Sequence, residues 1–432
     1  MKLARLFLIP CALLAFAATA PAQTIVNPSF EADPVPPSPG YGPITGWIGG
    51  SGINNSAGPF ADNGTIPDGQ KVAFMQGAQT MRQTVTGFTV GLQYRLRYYE
   101  NRRSFTGAAN LQVTVGGATV VPTYGVVAVG GSNPYVQKTS VPFTATATDL
   151  EIAFVASGSG DFAVLLDQVE IGRNLVVLNN NDTGPGSLRQ TIIDAPAGST
   201  ITFDPVVTGV INQFAGQMTI GKNLTIEGPG AGVLRIRALS SGFTSRVFNI
   251  NQFTRVTISG LWMSDAKSAG IFNAGNLTLT NSLVSLNSPG ISNGGTMAIS
   301  NSTISGNHAG RGGGISNGGT MSIVNSTITE NSSEDLAGGG SGGGAGLANS
   351  GTLTVTNSTI YNNFGIDASV EGGGLYNTGT ATLTNTTVSG NQLTIRFAIT
   401  GPVSGGAGIG NDAGTLTLIN CTVAKNIIDA AS

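Results

Sequence analysis

Charge is scarce in this chain: Asp, Glu, Lys and Arg together make up 10% of 432 residues. Histidine occurs once and cysteine twice, and the formal net charge is −2. A near-neutral chain gives no electrostatic footprint for nucleic acid or an anionic membrane. From Gly270 onward only Arg311, Arg396 and Lys425 are basic, so a phosphate-binding groove is excluded there. No metal-type His/Cys cluster, phosphate loop or nucleophile motif is present. The run Gly338–Gly344 is low-complexity loop, since no Lys-Ser/Thr pair or helix signal follows it. Past the first 22 residues no apolar run is long enough to span a membrane.

Those first residues have the pattern of an export signal. Lys2 and Arg5 supply the positive end, Leu6 to Ala18 the apolar core, and Ala20-Pro21-Ala22 the small-residue cleavage site. Its removal leaves Cys421 as the single cysteine, so no intrachain disulfide is possible. Abundant Gly, Thr, Asn and Ser with regularly spaced apolar residues argue for an exported, extracellular or cell-surface all-β protein.

What the chain has in quantity is an Asn-marked repeat from Gly270 to Asn426. Six segments begin with Gly and Ile or Leu, for example Gly314-Ile315 and Gly374-Leu375. An Asn follows, then two alternating apolar residues, a second Asn, an Ile or Val three further, and a third Asn. The second Asn is Asn281, Asn301, Asn325, Asn357, Asn385 and Asn420, and the third always lies six residues on. Within Gly351 to Asn357, Leu353 and Val355 alternate with Thr, the period of a strand with one buried face. Asn tolerates left-handed backbone and suits the bends. Gly-to-Gly distances of 20, 24, 32, 28 and 34 residues fit a parallel β-helix whose insertions loop out at one corner. Stacked coils put the Asn amides in register. Asn-x-Ser/Thr matches such as Asn301-Ser302-Thr303 are therefore read as parts of the stack, and Cys421 as a small residue where other coils have Ser or Thr. At ~4.8 Å per coil, six coils span about 3 nm.

Residues 24–172 read differently, as strand-like runs punctuated by Gly, Pro, Asn and Asp, which predicts a β-sandwich. In Tyr94 to Tyr99 one face carries Tyr94, Leu96 and Tyr98, the other Arg95, Arg97 and Tyr99. The motifs Asn27-Pro28-Ser29-Phe30-Glu31, Ile44-Thr45-Gly46-Trp47, Asp68 to Gly77 and Leu166-Asp167-Gln168-Val169-Glu170-Ile171 resemble the galactose-binding-like jelly-roll modules of secreted bacterial proteins. The resemblance implies a fold that often binds sugars. It also implies a structural calcium held by Glu31 and Asp167, whose hard oxygens suit that ion. Candidate sugar contacts are Trp47, Arg97, Tyr99 and Arg102. Each has a plain alternative, as core or as solvated sheet face.

Residues 174–269 lead into the solenoid and cap it. Ser187 and Gln190 have capping-box spacing, and Leu188 and Ile192 share a helical face, which predicts a short plug helix. The run Gly186-Ser187-Leu188-Arg189-Gln190-Thr191-Ile192 and the Gly-Gly repeats, as in Gly313-Gly314-Ile315, resemble bacterial surface β-helices of the pectate-lyase-like kind, including polymorphic outer-membrane and autotransporter adhesins. That implies an all-β chain: a jelly-roll sandwich, then a right-handed parallel β-helix in coils over 270–432. The functional expectation is a non-enzymatic adhesin, glycan-binding or envelope structural protein. The alternative is a polysaccharide lyase or glycoside hydrolase with an appended carbohydrate-binding module. Acidic residues do not recur at one skeleton position, so the best catalytic candidates are scattered: Asp265, Lys267 and Arg311, with His308 in a loop beside Arg311. Partners are expected to be cell-surface or extracellular glycans. A partner, or further coils, is expected to cover the last coil.

Overall fold

The computed structural model describes residues 23–430, apart from 36, 38–39, 56–63, 104–106, 128–134, 241–244, 335–342, 367–371 and 396–405. The export signal, most of the Gly338–Gly344 run, and the acidic residues Asp335, Asp367 and Glu371 lie outside the described residues. Among the described residues no helix is long and apolar enough to cross a membrane.

The chain is a β-sandwich continued by a right-handed parallel β-helix. Two antiparallel sheets form the sandwich, and its core is aromatic. Tyr94, Leu96 and Tyr98 point inward with no exposure, as their alternation predicts. Tyr98 packs edge-on against Phe154 with centroids 5.0 Å apart.

The two parts share a strand. Ala163–Val177 pairs antiparallel with Gln93–Arg102 of the sandwich, then parallel with Ser199–Phe203 of the first coil. The boundary expected near residue 173 therefore falls inside one continuous strand of a 15-stranded sheet. Gly172 sits at the crossover, where a Cβ would lie 1.7 Å from the Gly198 carbonyl oxygen. Only glycine permits that approach.

Each coil presents three faces. The first is built from strands such as Arg255–Ser259 and Thr320–Val324, the second from Trp262–Ser264 and Thr327–Thr329, the third from Arg246–Ile250 and Ile315–Asn317. Equivalent residues pair in register, for example Met297 with Met321 and Ile299 with Ile323, and all four are buried. A buried aliphatic side chain of this kind stabilises by ~1.5–3 kcal/mol, so the repeat supplies its own core. The irregular lead-in holds coils with the same three faces. Leu188–Asp194 is the plug helix. Ser187 Oγ accepts from the Gln190 amide, while the Gln190 side chain bonds Asp194 and does not close the capping box.

The three Asn of each repeat do different jobs. The first forms a ladder, buried from Asn273 to Asn377 and ending on the exposed Asn411, each amide donating to the next at 2.7 Å. The third forms another from Asn287 to Asn426, at 2.9–3.0 Å. Among the described residues the second forms no continuous ladder: only Asn385 reaches its neighbour, donating to Asn357 at 3.2 Å in the open. Asn281, Asn301, Asn325, Asn357 and Asn385 are exposed, with φ between +48 and +50°. They make the left-handed bend, and the Ser or Thr after them turns inward. This corrects the reading of Asn301-Ser302-Thr303 as part of the amide stack. Cys421 follows the inward position: its Sγ donates to the Ile419 carbonyl at 3.3 Å, as the Thr386 hydroxyl does to Thr384.

A fourth ladder was not foreseen. It starts at His308–Ala309 and continues through Ser332–Glu334, Phe364–Ile366, Gln392–Ile395 and Ile427–Ala430. Phe364–Ile366 and Gln392–Ile395 alternate, but the five segments share no common apolar pattern and directly follow the third Asn, so they read as corner loop. In the last coil Leu418, Val423 and Ile428 are 43–48% exposed.

Candidate functional site

The sugar candidates of the sandwich do not form one site. Trp47 is core: it is 7% exposed and packs against Phe30 and Phe154, at 5.6 and 6.1 Å between centroids. Its ring offers no open plate, so of its two readings the core one holds. Arg102 donates to the Gly107 carbonyl at 3.1 Å and lines none of the cavities described below. Arg97 and Tyr99 do come together, but at the joint with the β-helix. Arg97 is buried and binds Glu170 at 2.9 Å, which removes it as a free sugar contact. Arg97 and Tyr99 both line a polar cavity of about 60 Å³, with Gln137, Gln168, Arg255, Asn276 and others.

Arg255 links this joint to a larger groove. It begins the first-face strand of its coil, and its guanidinium reaches Asp68 at 3.0 Å and Glu170 at 3.9 Å. Its backbone amide donates to Asn223 Oδ1 at 2.8 Å. The turn before it, Asn251 to Thr254, is closed by the Thr254 hydroxyl on the Asn251 carbonyl at 2.6 Å. That turn holds Phe253 at φ +61° and 100% exposed. An aromatic residue in left-handed backbone is an outlier, and strain of this kind gathers at functional sites. The next turn is Ala274-Gly275, where a Cβ on Gly275 would meet the Asn251 carbonyl oxygen at 2.4 Å. The floor beside the ring is therefore bare backbone. The groove measures about 530 Å³ and is lined by Phe253, Arg255, Asn223, Gln252, Asn276 and Thr296 with that floor. An open ring face can stack on apolar C–H groups, while carboxamides and a guanidinium bond hydroxyls. The sequence signal for Phe253 is one aromatic among the turn formers Asn-Gln-Phe-Thr, outside any strand alternation.

The catalytic candidates divide. Asp265 and Lys267 line a second cavity of about 680 Å³, together with His308, at another corner of the helix. Arg311 does not line it: its guanidinium lies over the Tyr376 ring at 4.8 Å. Burial pushes the Asp265 carboxyl up, but the Ser264 hydroxyl and the guanidinium groups of Arg237 and Arg235 outweigh it. They hold the group below the ordinary carboxylate range. Arg235 approaches at 2.6 Å and Arg237 at 3.1 Å. Such an anion is a poor proton acceptor near neutral pH.

Glu31 and Asp167 are both engaged by the protein's own groups. Glu31 Oε1 accepts from the amides of Gln70 and Lys71, at 2.7 and 2.6 Å. The Lys71 ammonium donates to the carbonyls of Glu31 and Asp33, at 2.8 and 2.7 Å. Asp167 accepts from the amides of Asp68 and Gln168, at 2.9 and 2.7 Å. Among the described residues no three His, Cys, Asp or Glu side chains gather as a metal site. The cation serving the Glu31 loop is the ammonium of Lys71, and this donor set does not fit calcium. Burial, partly offset by the two amides and reinforced by Asp68 and Glu31, pushes Asp167 up to about 8.

No protein-family profile and no curated protein matches the chain. Solved structures similar to it include pectin methylesterase PemA from Erwinia chrysanthemi, at 14% identity and TM-score 0.36, over 60% of this chain and 92% of that one. Another is TmCBM61 in complex with β-1,4-galactotriose, at 17% and 0.24, over 34% of this chain and 96% of that one. A third is the Agl-KA catalytic domain, at 12% and 0.24, over 89% and 95%. At these scores the likeness carries no functional argument, and the fold rests on the strand register described above.

Proposed function

We propose that this is an exported glycan-binding protein of the cell surface or extracellular space, acting as an adhesin or envelope component and not as an enzyme. The observation that carries the reading is Phe253, fully exposed and held in left-handed backbone beside Arg255, Asn223 and Asn276. Nothing in folding asks for an aromatic ring there. A ring and carboxamides along an open groove suit a chain of sugar units, whose faces are apolar and whose edges are hydroxyls. The export pattern of Met1 to Ala22 supports the location. The shared strand supports a fixed arrangement, in which the sandwich stands beside the groove.

The test is a glycan array probed with the full chain, followed by calorimetry on the hits with wild type and Phe253→Ala. Binding that weakens about tenfold in the variant, the scale of one lost aromatic contact, is the expected result. Unchanged affinity in Phe253→Ala, or no hit at all, overturns the proposal.

The enzyme alternative draws on the cavity with Asp265, Lys267 and His308. Its test is product release from acidic polysaccharides, abolished in Asp265→Asn. The two arginines that keep Asp265 ionised count against it.

A further inference from the structure

The cavity at Lys267 owes its shape to where the fourth ladder starts. His308–Ala309 pairs with Ser332–Ser333 on one side, and among the described residues no strand pairs with its other side. The two preceding coils pass the corner without that strand, through Lys267-Ser268 and Ser288-Pro289. The result is a step. His308 stands as its wall, and the turn residues Asp265, Leu286 and Gly306 stack beneath it at φ +62, +59 and +60°. Leu286 is 53% exposed, an aliphatic side chain held outward in left-handed backbone.

The step is cationic. Asp265 is the carboxylate of the group, and it is taken by Arg235 and Arg237. Arg235 also lies over the Trp262 ring at 4.1 Å, which fixes it. Lys267 is exposed and has no hydrogen bond or ion pair among the described residues. His308 uses Nδ1 with the Ser332 hydroxyl at 3.0 Å, and Nε2 has no partner among the described residues. The cavity lining thus holds one carboxylate, Asp265, already met by two guanidinium groups from outside the lining, and one ammonium, Lys267. In a chain so poor in charge, this is a local excess of positive charge with one cation unspent.

We infer that this step is a second binding site, for an oxyanion-bearing sugar unit: a uronate or a sulfate ester. Lys267 pairs with the oxyanion, His308 donates to it or to a neighbouring hydroxyl, and Leu286 lies against the apolar sugar face. The cavity, at about 680 Å³, falls within the size range of small-ligand sites and is far larger than a lone ion needs. The anionic part of the inference rests on this corner alone. Only the choice of a sugar as carrier leans on the glycan reading above.

The experiment is calorimetry on the full chain with four probes: an oligogalacturonate, a sulfated galactan oligosaccharide, its neutral counterpart and inorganic sulfate. Wild type is compared with Lys267→Met, His308→Gln and Phe253→Ala. The two acidic oligosaccharides are distinguished by whichever binds more tightly. Either one binding at least about tenfold more tightly than the neutral probe and than sulfate, weakening with added salt, and failing in Lys267→Met but not in Phe253→Ala, is the expected result. Lys267 is exposed and unpaired among the described residues, so its replacement leaves the fold intact, and a matching melting temperature checks this. The inference is overturned by equal binding of the neutral probe, by sulfate binding as well as the sugars, by no acidic binding, or by a loss confined to Phe253→Ala. Neutral glycans binding at Phe253 with no acidic binding at Lys267 sinks this inference and leaves the proposed function standing.

Discussion

Arg255 of the β-helix holds Asp68 of the sandwich, with Nη2 and Oδ1 3.0 Å apart and both side chains about a third exposed. One charge thus joins the two parts of the chain and sits on the rim of the Phe253 groove. Burial alone would raise the Asp68 carboxyl, but the Ser29 hydroxyl and Arg255 more than offset it and leave it lowered. A lowered acid stabilises the folded state above its unfolded value, and that contribution is lost as pH falls through the folded value. Asp68→Asn should therefore cost ~1 kcal/mol or less near neutral pH, given the exposure, and less at an acid pH below the ordinary carboxylate value. Urea titrations at the two pH values check this.

Asp167 runs the other way. Its folded value, about 8, lies above the ordinary carboxylate value of 3.8, so the folded state holds a proton that the unfolded state releases. The stability this gives is complete below pH about 4 and is lost as pH rises toward about 8. The melting temperature of the sandwich should fall across that window and then level off. A chelator should leave the curve unchanged. A calcium-dependent rise in melting temperature near neutral pH would show that the ion displaces this arrangement.

Lys71→Met tests the same loop from its cation. The variant leaves the carbonyls of Glu31 and Asp33 without the ammonium that now donates to both. A loss of ~1–3 kcal/mol is expected, measured by urea unfolding and not restored by calcium.

The Asn residues of one repeat should respond unequally. Asn331 is fully buried and donates to Ile304 and Asn363 while accepting from Asn307. Its replacement by Ala strands those partners and should cost ~2–4 kcal/mol. Asn325, exposed at φ +48°, should lose ~1–2 kcal/mol on change to Ala and almost nothing on change to Gly. Thermal unfolding of the three variants decides it.

Phe253 should separate binding from stability. Its ring is wholly in water and its φ is +61°, so Phe253→Gly relieves strain and should stabilise by ~0.5–1 kcal/mol. The same change should remove glycan binding. A variant both less stable and still able to bind contradicts the role given to this residue.

The sequence by itself determined the repeat architecture. Alternating apolar residues such as Leu353 and Val355, the fixed six-residue step between Asn, and the inward place of Cys421 are local patterns. Parallel stacking repeats each of them in register, so one coil predicts the next. The second Asn misled, because a bend former and a ladder former carry the same amide, and only neighbouring coils tell them apart. Tertiary structure decided the sites. For Trp47 and Arg97 the sequence left sugar contact and plain structural roles open, and a core and a second domain closing over them decided it. His308 sits 43 residues from Asp265 in sequence, yet shares a cavity with it because two intervening coils each return the chain to the same corner. Phe253 became a candidate only when its exposure and backbone angle were seen together. Periodic burial is written residue by residue, whereas a groove is set by which coils are long, which are short, and what stands beside them.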